Sequence, residues 1–299
     1  MSAATYDPAT MPARPSPWQP LLWLIPLTGL WLLVNYAFPA LQASGVPSIA
    51  TRLGIHIALA LGLWLGLERT DLSPRQRVGV FLALAVPYVL WLSVIWSAAI
   101  NGAFQPGHFP PRLPFAIFVP VIIGVPILLA SKRVGQLLDA MPASWLVGLQ
   151  VYRIFGGAFL VAWARGAIPG VFGLPAGIGD VATGLLALPV AYRLAAGSGD
   201  AHRVAIAWNI FGLTDFAIAV GIGLAISPGP LQLIVPSIPN TAAGTYPTIL
   251  IPAFAVPSSI LLHVLSLRQL RRQRRAARMT DPLLSASRQQ RTAVAASAR

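Results

Sequence analysis

Eight stretches of this sequence are apolar for long enough to cross a lipid bilayer: 19–41, 51–68, 77–100, 113–131, 144–165, 172–194, 203–226 and 247–268. A hydrocarbon core about 30 Å thick takes about 20 apolar residues at a helical rise of about 1.5 Å each. No water reaches the backbone there, so each run has to bond its own amides, which a helix does. The runs therefore predict an all-α fold, a polytopic transmembrane bundle of about eight spans. Only 10% of the residues are charged, against roughly 25% in soluble domains. That excludes a water-soluble fold.

The net charge of +13 resembles a nucleic-acid signature, but its placement argues otherwise. Residues 268–299 carry nine arginines and one aspartate, which is eight of the thirteen charges. Six of the arginines, Arg268, Arg271, Arg272, Arg274, Arg275 and Arg278, crowd the end of the last span. Such a run suits anionic lipid at a membrane surface, so lipid and not nucleic acid is the expected partner. Counting loops from a cytoplasmic N-terminus puts seventeen basic residues on the inner side, with Arg52, Arg112 and Arg165 outside. Basic residues favour the cytoplasmic side, giving an N-in, C-in orientation. The domains follow: a disordered cytoplasmic N-terminus over 1–17, a bundle over 18–268, and a basic tail over 269–299. The tail should stay helical to about Met279 and be largely disordered after 281. The first run is too long for the core of a signal peptide. There are no cysteines, so disulfides and thiolate chemistry are excluded.

Three loops on the outer side are rich in glycine and proline: Asn101 to Arg112, Arg165 to Gly173, and Ser227 to Tyr246. The last contains an apolar stretch, Leu231 to Val235, which reads as an ordinary loop, with an interfacial or lid-like segment as the alternative. Prolines inside the spans (Pro87, Pro120, Pro126, Pro189, Pro252 and Pro257) each remove a helical hydrogen bond and favour kinks.

Five polar residues lie within the runs: Arg153, Asp180, Asn209, Asp215 and His263. A charged group at the centre of a span costs about 2.5–3.5 kcal/mol on insertion scales, so it must be paired, hydrated or used. Small residues surround them at helical spacing: Gly177 and Gly184 about Asp180, Gly156 and Gly157 after Arg153, Gly212 between Asn209 and Asp215, and Ser259 and Ser266 about His263. Small neighbours let helices approach closely and bond across the contact, which turns the polar groups inward. An ion pair that only fixes packing is the bland alternative. One arginine neutralises one aspartate, however, and the second needs a proton, water or a cation. These five are the candidate ligand, ion or proton-binding residues. Two short internal echoes, Tyr152 to Gly156 with Trp208 to Gly212 and Gly177 to Ala182 with Gly212 to Ala217, are too brief to establish a duplication.

His56 reads as an interfacial histidine near the outer end of its span, and His108 and His202 lie in loops without metal-ligand spacing. No zinc-protease, nucleophile-elbow, phosphate-loop or dinucleotide-binding pattern occurs, and the only lysine, Lys132, sits at a helix end. No metal and no cofactor are expected. The leading expectation is binding or translocation of a small solute or ion, and an enzyme is the less favoured class. The alternatives are a membrane-embedded enzyme acting on a lipid or quinone, and a structural or assembly protein. The sequence sets no oligomeric state.

From Gln150 onward the chain resembles a group of uncharacterised bacterial multi-pass membrane proteins. The resemblance rests on Gln150-Val-Tyr-Arg153, Leu174-Pro-Ala-Gly-Ile-Gly-Asp180, Trp208-Asn209 with Gly212 and Asp215, and Ile251-Pro252 and Val256-Pro257 ahead of His263. It implies a location in the bacterial cytoplasmic membrane and carries no activity.

Overall fold

A computed structural model describes residues 16–40, 45–105, 108, 110–229 and 232–280. The expected disorder over 1–17 and beyond 281 falls almost wholly outside these residues. The chain folds as an all-α bundle. Its helices are α1 (Leu21–Ala37), α2 (Val46–Glu68), α3 (Pro74–Ile100), α4 (Leu113–Ala130), α5 (Lys132–Ala140), α6 (Ala143–Leu149), α7 (Ala158–Ala164), α8 (Gly170–Ala195), α9 (Ala201–Ala225) and α10 (Val256–Thr280). A 3-10 segment, Gln150–Gly157, joins α6 to α7 as one span, and a π-turn, Ile251–Ala255, leads into α10. Among the described residues seven spans are long and apolar enough to cross a membrane. The eighth, α1, has 17 residues, the lower limit for crossing.

Local chemistry sets several boundaries. Ser73 opens α3 with a capping box, accepting from the Gln76 amide at 3.4 Å while its own amide donates to Gln76 Oε1 at 3.1 Å. Pro74 follows at the first helical position, where a missing N–H costs nothing. Ser131 caps α5 through the Val134 amide, making a separate helix of 132–140, a stretch that hydropathy leaves between spans. Gly45, at φ 72°, turns the chain into α2, which starts several residues before the apolar run at 51. The helix expected to end near Met279 runs to Thr280.

The core sits around α8. Eleven of its 26 residues are buried, whereas two of the 27 in α3 are. The helix α8 packs on α6 and α7, on the 3-10 segment and on α9. Close approach is possible there because a methyl at Gly184 would lie 2.6 Å from the Ile154 backbone nitrogen. Helices α2, α3 and α4 form an outer arc with leucine, valine and isoleucine side chains pointing outward, the surface that lipid solvates.

At the arginine-rich end α10 docks on α5. Gln269, fully buried, donates to the Leu138 and Met141 carbonyls at 2.6 Å, and Arg268 donates to Ser131 O at 2.9 Å. Arg272 pairs with Asp139. Two of the six crowded arginines are therefore engaged by protein. At the opposite end Leu233 and Val235 are more than 80% exposed, and the backbone of 233–234 is held to the Ala225 carbonyl. Residues 233–234 are thus tied to the end of α9, and Leu233 lines the cavity that opens at this end.

A buried arginine shared by two aspartates

The five polar residues singled out in the spans meet in one connected network. Arg153 is presented by the 3-10 segment, Asp180 by α8, Asn209 and Asp215 by α9, and His263 by α10. The guanidinium is only 3% exposed as a residue. Its Nε donates to Asp180 Oδ1 at 2.8 Å, and its Nη2 lies 2.7 Å from the same oxygen. Nη2 also pairs with Asp215 Oδ2. Nη1 donates to the Gly212 carbonyl at 3.3 Å and to His263 Nε2 at 3.1 Å. The ring of Phe216 lies 3.8 Å from the guanidinium carbon and covers its flat face, a favourable cation–π contact.

The histidine tautomer follows from its partners. A guanidinium only donates, so His263 Nε2 accepts and Nδ1 carries the proton. That proton is donated to Asn209 Oδ1 at 2.9 Å. The Asn209 amide nitrogen faces Ala205 O at 2.7 Å and Ser266 Oγ at 3.1 Å, so its oxygen is left for the histidine. His263 is thus a neutral imidazole, fully buried, and it adds no positive charge. With both carboxylates ionised the cluster holds one cation against two anions.

Glycines make room for the charged groups. A methyl at Gly156 would overlap the Asp180 carboxylate, and one at Gly179 would overlap that of Asp215. At Gly212 it would lie 2.5 Å from His263 Nε2 and 2.8 Å from Arg153 Nη1. An outer layer secures the helices. Trp208 Nε1 donates to the Thr183 carbonyl at 3.0 Å, Tyr152 bonds the Ser259 hydroxyl, and Gln150 donates to the Ser259 carbonyl at 3.2 Å.

A cavity of about 590 Å³ reaches both carboxylates. Its floor is Asp180, Asp215 and Phe216, its walls include Phe159 and Phe172, and Arg112 stands among its residues at the glycine- and proline-rich loop end. Of the other histidines, His202 bonds Gln273 at 3.2 Å. His56 is half-buried and packs against Tyr88 and Phe254, with centroids 5.7 and 5.6 Å away. Its ring therefore faces the bundle. Among the described residues no three His, Asp or Glu side chains gather as a metal site would require.

Phe216, Gly179, Trp208, Tyr152 and Gln150 were not foreseen as parts of this site. Gly179 faces α9 although its sequence neighbour Asp180 faces Arg153, so spacing along α8 alone gave no signal for it.

Residues 110–271 match a domain of unknown function, DUF8737. The chain belongs to the DUF8737 family. The match opens well before Gln150, so the DUF8737 region takes in α4 and α5 as well as every residue of the arginine network. No curated protein and no solved structure matches the chain.

Proposed function

We propose that this DUF8737 membrane protein binds a small cationic solute or ion, or a proton, at the Arg153–Asp180–Asp215 cluster and carries it across the bilayer. The observation that carries the reading is the cavity of about 590 Å³ ending on both carboxylates. An ion pair that served only packing would need no such access. Charge points the same way. One guanidinium faces two carboxylates, and the neighbouring histidine is held neutral, so a cation or proton completes the balance. Low-dielectric surroundings make an uncompensated charge costly, which couples occupancy of the site to the stability of one helix arrangement over another.

Purified protein in sealed vesicles tests this, using proton uptake read by an internal pH dye and uptake of sodium and tetramethylammonium as probes. Flux above protein-free vesicles, falling at least tenfold in both Asp180→Asn and Asp215→Asn, is expected. Absence of flux for all three probes, or wild-type flux in both variants, overturns the proposal.

The basic residues support an orientation with both termini inside and the tail arginines on anionic lipid, and the resemblance from Gln150 onward supports a bacterial cytoplasmic membrane. On that orientation the loop-end cavity faces outward. A C-terminal reporter fusion is expected to be active only in its cytoplasmic form, and activity in the external form reverses the assignment.

A further inference from the structure

A second, smaller cavity of about 150 Å³ also touches Asp180, and Arg52, His56, Tyr88, Tyr152, Arg153 and Ser259 are among its other polar groups. It does not end in protein. Trp31, Thr51, Ile55, Tyr152 and Phe155 are shared between it and a long groove of about 820 Å³. The groove exists because α1 packs on α7 and α8 while α2 packs on α3, α5 and α6. Leu27 and Leu61 line it and are more than half exposed, so it opens toward the lipid side. Along α2 it runs from Ala50 to Leu65, about 22 Å of helix at about 1.5 Å per residue. An apolar channel thus leads from the bilayer to a small polar chamber.

The chamber has a defined hydrogen-bonding demand. His56 Nδ1 faces the Arg52 carbonyl, which only accepts, so Nδ1 carries the proton and Nε2 is a bare acceptor. Among the described residues Nε2 is buried and has no partner. A buried acceptor without a partner costs about 1–3 kcal/mol, and an incoming hydroxyl would remove that cost. Tyr88 and Phe254 flank the histidine, and Trp31 and Phe155 stand edge to face with centroids 5.4 Å apart where chamber meets groove. Size narrows the class further. A cavity of about 150 Å³ holds one benzene ring, so the head group is a single small ring.

We propose that chamber and groove together bind an amphiphile with a hydroxyl on a single small ring and a hydrocarbon tail, the chemistry of a 4-alkylphenol. The ring occupies the chamber with its hydroxyl donating to His56 Nε2, and the tail lies between α1 and α2. This site is separate in access from the loop-end cavity and meets it only at the protein's central carboxylate, Asp180, with Phe216 and Val256.

The test is calorimetric titration of the full chain in detergent with 4-decylphenol, beside phenol, 1-decanol and a lysophosphatidylcholine. One saturable site for 4-decylphenol is expected, with phenol and decanol at least tenfold weaker and no displacement by the lysophospholipid. His56→Ala should weaken binding several-fold, up to about tenfold for one lost hydrogen bond. Gly54 lines the groove, and a Cβ there would meet nothing within 4 Å. Gly54→Leu should therefore block the tail by tenfold or more while melting at the wild-type temperature. Absence of saturable binding, decanol equal to 4-decylphenol, displacement by the lysophospholipid, or unchanged affinity in both folded variants overturns the proposal.

Discussion

Replacing Arg153 with methionine takes the single cation from between two buried carboxylates. The arginine side chain is 1% exposed, and those of Asp180 and Asp215 are 10% and 7% exposed. Two ion pairs go, together with the bonds to the Gly212 carbonyl and His263 Nε2 and the contact with Phe216. Methionine replaces part of the volume but none of the charge. Removing one partner of a buried ion pair costs about 3–5 kcal/mol, because the charge left behind is uncompensated. Here two charges are left. At about 2–4 °C per kcal/mol for a bundle of roughly this size, melting should fall by about 6–20 °C. The assay is thermal unfolding of the purified protein in detergent, followed by tryptophan fluorescence. A triple variant, Arg153→Met with Asp180→Asn and Asp215→Asn, removes the stranded charges and should recover at least half of the loss. A single variant melting within about 2 °C of wild type, or a triple variant no better than the single, would refute the reasoning.

The same melting assay checks two further contrasts. Gly184→Ala drives a methyl into the Ile154 backbone and should cost about 1–3 kcal/mol, while Gly221→Ala, where a Cβ meets nothing within 4 Å, should cost nothing. Arg272→Ala breaks a pair whose side chains are 42% and 48% exposed and should cost less than about 1 kcal/mol. Gln269→Leu strands the Leu138 and Met141 carbonyls at the end of α5 and should cost about 1–3 kcal/mol for each.

The spans were legible in the sequence because hydropathy is a local sum, and a run such as 77–100 declares itself without reference to its neighbours. Arg153, Asp180, Asn209, Asp215 and His263 were visible for a related reason: polar groups stand out where every other residue is apolar, and their small neighbours indicated which way they faced. The winding of Gln150–Gly157 was not legible. Its Gln, Tyr, Arg and Gly residues occur in α-helical spans as well, and nothing in eight residues separates a repeat of 3.0 from one of 3.6. The helix α5 was hidden because it is short and carries Lys132, Arg133 and Asp139, so its order depends on Ser131 and on the docked end of α10. Phe216 had no signal at all. An aromatic beside Asp215 is ordinary in a membrane helix, and only the arrival of Arg153 from another span gives it a cation to cover. His56 turned inward for a similar reason, since Tyr88 and Phe254 come from elements distant in sequence.

The 3-10 winding around Arg153 makes the arginine's reach depend on how tightly its own span is coiled. A 3-10 helix rises about 2.0 Å per residue and turns about 120°, against about 1.5 Å and 100° in an α-helix. Over the eight residues of Gln150–Gly157, recoiling to α would shorten the span by about 4 Å and rotate α7 against α6 by about 160°. Arg153, midway along the segment, would swing by about half that angle, enough to carry the guanidinium away from at least one of its two aspartates. In such a span a change of pitch and a change of ionic partner would be a single motion.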